Sequence, residues 1–286
     1  MRYVVAKSSR DAVALLKAGG DVRLLAGGTD VLVQMKLHED RPDTLIDIKR
    51  IDGYGAISLE AGGYRIGAAV SGAEMGEHGP LKALWPGVVE AMALIGSTQV
   101  QGRATMVGNL CNGSPAADSV PAMLAAGATA RVEGAGGARD VLVLDLLDRP
   151  GKTRLGKAEL ISSVFLPARP ARAGDAYLRF IPRTEMDIAV ASAGVSLELD
   201  AGGAVVGAKV ALGAVAPTAV LVPDAAAALV GSRLGAEALQ ACAAACAAAC
   251  DPIDDKRGTV EFRTHVAGVL AARAAKIAYT RAGGSL

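Results

Sequence analysis

Short apolar runs alternate with helically spaced apolar positions through the first part of the chain. Tyr3–Ala6 reads as a strand. Ser8 or Ser9 starts a helix carrying Val13, Leu15 and Leu16, and Gly19-Gly20 stops it. Val22–Leu25 is a second strand, Val31–Lys36 a short helix and Thr44–Ile48 a third strand. This alternation predicts a small βαβ-like unit over residues 1–53. Residues 54–170 read as a second α/β region, with strands at Ile57–Glu60, Tyr64–Ala68, Thr129–Glu133 and Leu160–Leu166. Its helices start at Ser71 and Pro80, the latter running through Trp85 to Ile95, and a further helix spans Ala116–Ala126. Between them, Gly96 to Pro115 is irregular and rich in Gly, Ser, Thr and Asn.

The stretch Ala168–Gly174 marks a change of character and the predicted domain boundary. Beyond it come strands at Ala176–Ile181, Ile188–Leu199 and Val205–Ala214, then helices at Asp224–Val230, Ala236–Cys250 and Val260–Arg281. Strands followed by helices in blocks predict an α+β domain over residues 174–286.

Composition narrows the function classes. With 30 basic and 29 acidic residues the formal charge is +1, which gives no general drive toward nucleic acid or anionic membranes. No apolar run reaches the roughly 18–20 residues of a membrane span, and Lys7, Arg10 and Asp11 interrupt any signal-like region, so a cytoplasmic location is expected. The 35 glycines and few aromatic residues (Trp 1, Tyr 5, Phe 3) predict cores of small aliphatic side chains. Three histidines, with no Ser or Cys placed beside them in sequence, rank hydrolase chemistry low; His38 lies beside Glu39 and Asp40 and reads as solvated. Cys242, Cys246 and Cys250 fall four apart on one line of a helix, a packing arrangement rather than a converging metal site.

Two segments carry candidate chemistry. Ala26-Gly27-Gly28-Thr29-Asp30 follows a strand and precedes a helix; a glycine pair there lets backbone N–H groups face an anion, although the pentapeptide also reads as an ordinary turn. It is neither the Rossmann G-x-G-x-x-G nor the P-loop, which argues against a Rossmann-bound dinucleotide and against an NTPase. The second segment runs from Gly96 to Asp118, a long irregular stretch of the kind that usually carries function. Asp118 could accept a hydrogen bond from a cofactor hydroxyl or cap a helix. The Arg179–Arg183 cluster reads as a solvated edge, a subunit contact or a cofactor contact.

Read together, five ordered segments give a resemblance. These are Leu24-Leu25-Ala26-Gly27-Gly28-Thr29-Asp30, Ala104-Thr105-Met106-Val107-Gly108-Asn109, Ser114-Pro115-Ala116-Ala117-Asp118, Gly151-Lys152-Thr153 with Glu159-Leu160-Ile161, and Arg183-Thr184-Glu185-Met186-Asp187-Ile188-Ala189. In this order and spacing the chain resembles the FAD-binding medium subunit of the molybdenum hydroxylases, the family of xanthine dehydrogenase and carbon monoxide dehydrogenase. The resemblance implies an α+β protein: a two-part FAD-binding domain of the vanillyl-alcohol-oxidase (PCMH) type over 1–170, then a CO dehydrogenase flavoprotein-like C-terminal domain over 174–286.

It also implies non-covalent FAD held by Leu25, Ala26, Gly27, Gly28, Thr29 and Asp30 in a first diphosphate loop and by Thr105, Met106, Val107, Gly108 and Asn109 in a second. Asp118 would bind a cofactor hydroxyl, and Ile161 and Arg179 would touch FAD. Where many relatives read Gly-Gly-Asn the chain has Val107-Gly108-Asn109, and valine disfavours positive φ and adds bulk near the cofactor. The implied role is an electron-transfer subunit without a catalytic acid–base residue of its own. A molybdopterin-binding large subunit and a small subunit with two iron–sulfur clusters would be its partners, in a dimer of heterotrimers. A free-standing FAD-dependent oxidase or dehydrogenase, or a flavin-free assembly subunit, are the alternative readings.

Overall fold

The computed structural model describes residues 1–38 and 41–286; Glu39 and Asp40, and with them the expected setting of His38, lie outside the described residues. The N-terminal unit comprises β1 (Arg2–Val5), α1 (Ser9–Lys17), β2 (Val22–Leu25), α2 (Val31–Lys36) and β3 (Thr44–Asp47). All pairs are parallel in the order β1-β3-β2, with Val4 and Leu24 both opposite Ile46. β3 is central and buried along its whole length, as a strand flanked on both edges should be. The Ser8 hydroxyl accepts from the Asp11 N–H at 3.1 Å and caps α1, whose Ala12 and Val13 face the core. Because the strands are parallel, β2 releases the chain into Ala26–Asp30 at the carboxyl edge of the sheet, the edge where ligand loops gather in such sheets.

Residues 54–170 are organised around an antiparallel sheet. Its order is β4 (Ile57–Glu60), β5 (Gly63–Gly67), β10 (Leu160–Leu166), β6 (Thr129–Gly134) and β7 (Gly137–Leu142), with β8 (Leu147–Arg149) and β9 (Lys152–Thr153) forming a separate ribbon. Six helices lie between β5 and β6 in sequence: α3 (Gly72–Glu77), α4 (Gly79–Leu84), α5 (Pro86–Ala93), α6 (Thr98–Gln101), α7 (Met106–Cys111) and α8 (Ser119–Ala126). The single helix expected from Pro80 to Ile95 is two, because Pro86 has no N–H to continue the ladder and instead starts α5 at its first turn. The stretch expected to be irregular contains α6 and α7, both too short for a periodic apolar signature.

The C-terminal domain is an antiparallel sheet in the order β11 (Ala173–Phe180), β12 (Ala191–Leu199), β13 (Val205–Gly213), β14 (Val220–Leu221), covered by α9 (Pro223–Leu229), α10 (Ala236–Ala248) and α11 (Val260–Arg281). Its core pairs aliphatic strand residues with Cys242, Cys246, Ala271, Ala274 and Ala275, all fully buried. Gly174 lets α11 approach closely; a Cβ there would fall 2.0 Å from the Ala278 carbonyl oxygen.

The two halves meet over a broad seam. A Cβ on Gly87 of α5 would lie 2.8 Å from Ala176 Cα on β11, and one on Gly194 of β12 would lie 2.6 Å from the Pro121 carbonyl oxygen of α8. Tyr177 of β11 and Ala211 of β13 belong to the hydrophobic cluster of the first half, so the core is continuous across the seam. The Arg169 guanidinium clasps the connection: it sits 4.5 Å over the Trp85 ring and donates to the Leu84 carbonyl at 2.6 Å and to Asp175 Oδ1 at 2.7 Å.

Candidate cofactor-binding site

The loop after β2 is held open at the level of its hydrogen bonds. Among the described residues, no backbone N–H from Ala26 through Asp30 donates to a protein acceptor. The carbonyls of Gly28 and Asp30 accept from Leu32 and Gln34 at 3.2 and 2.9 Å, so α2 is already winding as the loop ends. Gly28 has φ +82°, a value that a side chain makes costly. Gly27 carries the tighter constraint: a Cβ would fall 1.8 Å from the Arg103 carbonyl oxygen, so the first loop rests on the backbone of Arg103–Ala104. Free amides in a row, with a helix start behind them, form a donor set suited to an anion.

The second loop ends in a capped helix. Thr105 Oγ1 accepts from the Gly108 N–H at 3.0 Å and starts α7. Val107 needs no positive φ: it is the second residue of α7, and its side chain is packed in the core at 5% exposure. Gly108 is the residue that needs to be small, since a Cβ there would lie 2.8 Å from Thr105 Oγ1. Asn109 Oδ1 accepts from the Ser119 N–H at 3.2 Å and the Ser119 hydroxyl at 2.7 Å, capping α8. Gln34 of α2 donates to Asn112 Oδ1 at 3.0 Å, a second tie between the loops. The structure therefore brings Leu25–Asp30 and Thr105–Asn109 to one place.

Asp118, Tyr177 and Arg179 form a separate group at the seam. Asp118 sits at the start of α8 yet makes no cap bond with its side chain. Instead Oδ1 accepts from the Tyr177 hydroxyl at 2.7 Å and Oδ2 from Arg179 Nη1 at 2.6 Å. Burial pushes the Asp118 carboxyl up from its ordinary value, opposed by the Arg179 charge and the two hydrogen bonds. Burial and the neighbouring carboxylate push Tyr177 well above its ordinary range, so its proton stays in place to be donated. Ile161 on β10 is buried against the same core as α7, opposite Val132, with no exposed side-chain surface of note. Sequence reasoning nominated Asp118 and Arg179 but not Tyr177; strand alternation places residues 177 and 179 on one face, a signal that could have found it.

Residues 1–169 match the family described as FAD binding domain in molybdopterin dehydrogenase, and residues 176–278 match the CO dehydrogenase flavoprotein C-terminal domain. The chain belongs to the family of FAD-binding medium subunits of the molybdenum hydroxylases. The carbon monoxide dehydrogenase medium chain of Afipia carboxidovorans is 35% identical, with 96% of this chain and 96% of that one covered. The xanthine dehydrogenase FAD-binding subunit of Escherichia coli O157:H7 is 30% identical over 99% of this chain and 98% of its own length. A solved structure of carbon monoxide dehydrogenase from Hydrogenophaga pseudoflava, lacking the Mo-pyranopterin moiety, matches with a TM-score of 0.94 and 35% identity, covering 98% of each chain. This medium subunit is thus an oxidoreductase flavoprotein subunit with an α+β fold, an FAD-binding domain followed by a flavoprotein C-terminal domain. Its donor set fits the cofactor: free amides at Ala26–Asp30 match the acceptor oxygens of a diphosphate. No helix among the described residues is long and apolar enough to cross a membrane.

Proposed function

We propose that this medium subunit is the flavin relay of a heteromeric molybdenum hydroxylase. It holds one FAD non-covalently, takes electrons from an iron–sulfur subunit carrying two clusters, and delivers them to an external acceptor. A molybdopterin-binding large subunit oxidises the substrate, and the assembly is a dimer of the heterotrimer. The row of amides from Ala26 to Asp30 without a protein acceptor carries the reading, because five such donors beside a second helix start can face one diphosphate.

The residues divide the work. The backbone of Leu25–Asp30 and the start of α7 around Thr105–Asn109 grip the diphosphate. Asp118 accepts a cofactor hydroxyl, Arg179 fixes Asp118 and adds positive charge, and Ile161 closes the apolar floor beneath α7. When bound, FAD supplies redox chemistry that couples one-electron carriers to an acceptor. The nearby thiol is a poor candidate for covalent attachment: Cys111, exposed at the end of α7, lies in no recognised linkage motif.

Co-expression with a molybdopterin subunit and an iron–sulfur subunit tests the relay. One co-purifying assembly is expected, in which substrate bleaches the flavin and acid precipitation releases it. A chain that oxidises a small substrate at full rate alone, and binds neither partner, would establish a free-standing flavoenzyme instead.

A further inference from the structure

Asp118 is held by two donors that both come from the other half of the molecule. Tyr177 and Arg179 lie two apart on β11, on the face that meets the start of α8. The approach is possible because the residue opposite Tyr177 on β12 is Gly194, whose missing Cβ leaves room for the Pro121 carbonyl of α8. Ser192, opposite Arg179, turns its hydroxyl toward the Tyr177 oxygen. The network is almost closed to water, with 9% of the Asp118 side chain and 5% of the Arg179 side chain accessible. A carboxylate offers about four acceptor positions; Tyr177 and Arg179 use two, one on each oxygen, and this fixes the direction of the rest.

We infer that Tyr177 is a positioning residue for the cofactor: by donating to Asp118 Oδ1 while Arg179 holds Oδ2, it orients the carboxylate to accept a hydroxyl of bound FAD. This rests on the function proposed above and extends it, since it makes flavin affinity depend on the C-terminal domain being docked. The charged and titratable groups acting on Asp118 are Arg179 and Tyr177, both on β11; α7 contributes the uncharged Asn109 amide at the start of α8, and β12 the Ser192 hydroxyl. Each donor favours the ionised carboxylate, so losing one makes protonation easier.

The test is FAD titration of the full-length chain, by flavin fluorescence, from neutral into acid pH, for the parent, Tyr177→Phe, Asp118→Asn and the double variant. Tyr177→Phe should weaken FAD about tenfold at neutral pH and move the acid limb of binding to higher pH, a shift that loss of packing alone would not cause. In the Asp118→Asn background the same substitution should add little. If Tyr177→Phe does not fold, Ser192→Ala should give a smaller loss with the same upward shift of the acid limb. The inference is overturned if the parent binds FAD while the folded variant keeps both affinity and acid limb, or if the two substitutions are additive. A parent that binds no FAD overturns the functional reading itself, and this inference with it.

Discussion

The first loop and the domain seam are both polar and both lie at the candidate site, yet they satisfy their hydrogen bonds in opposite ways. At the seam the charged groups named above pair with protein: Asp118 takes Tyr177 and Arg179, and Asp175 takes Arg169, with the Arg281 side chain reaching both the Asp175 carbonyl and Glu90. In the loop after β2, five successive amides have none. Buried polar groups are ordinarily paired, and unpaired donors are tolerated where water or a ligand completes them. The seam therefore ties the two halves together through protein partners alone, whereas the loop leaves a row of donors open, the property on which the proposed diphosphate grip rests. Substitutions at the seam should act on stability as well as on affinity; substitutions in the loop should act on affinity alone.

The largest effect is expected from Arg179→Met, which strands a buried carboxylate with Tyr177 alone. Removing one partner of a buried pair costs about 3–5 kcal/mol, and in a chain of this size that lowers Tm by on the order of 10 °C, readable by thermal unfolding of the flavin-free protein. Next comes Gly27→Ala. Its Cβ cannot coexist with the Arg103 carbonyl at 1.8 Å, so the two loops must part. FAD affinity should fall by at least ~100-fold, equivalent to about 2.7 kcal/mol, while Tm without cofactor changes little. Should Gly27→Ala lower that Tm as much as Arg179→Met does, the loop is a structural joint like the seam and the contrast collapses.

Gly28→Ala should be milder. The strain of φ +82° costs about 1–2 kcal/mol, and the new Cβ meets the tips of Leu25 and Leu32 at 2.9 and 3.0 Å, side chains able to shift, rather than the second loop. A loss of about tenfold in FAD affinity follows.

The smallest effect concerns pH. Glu60 and Asp140 on the five-stranded sheet, and Glu159 just before β10, are held below their ordinary values chiefly by hydrogen bonds from Arg65, Arg131 and Arg139, so the stability they add is present above about pH 4 and lost as pH falls below it. Asp118 and Asp175 are shifted upward by burial, so their sign is reversed: the penalty for their charge grows as pH rises through their folded values and is relieved in acid. Hydrogen exchange followed from pH 6 to 3 should show the β6–β7 edge losing protection before the α8–β11 seam. Simultaneous loss would mean that the two regions do not titrate separately.

How far these regions were legible in sequence follows from how local their causes are. Gly27-Gly28-Thr29-Asp30 stands out because an apolar strand, a glycine pair and a helix start are contiguous. The Pro86 break and the Thr105 cap are equally local, although the first was absorbed into a longer apolar pattern. The β7 strand was missed because its residues are mostly exposed and polar, with no alternation to read; Arg131–Asp140 and Arg139–Glu159 pairs line it instead. Tyr177 escaped because its role is set by contact with Asp118, 59 positions away, and an aromatic residue in a strand reads as core. Asn109 reads as a cofactor contact, and only the fold shows its Oδ1 engaged in capping α8.

The central claim is that the paired loops grip a diphosphate with their backbone amides. Competition against bound FAD by ADP and by adenosine isolates that element, since the two competitors differ by the phosphates alone. ADP should displace FAD at concentrations at least ~100-fold lower than adenosine, and the difference should disappear in Gly27→Ala. Equal displacement by the two competitors would contradict the claim.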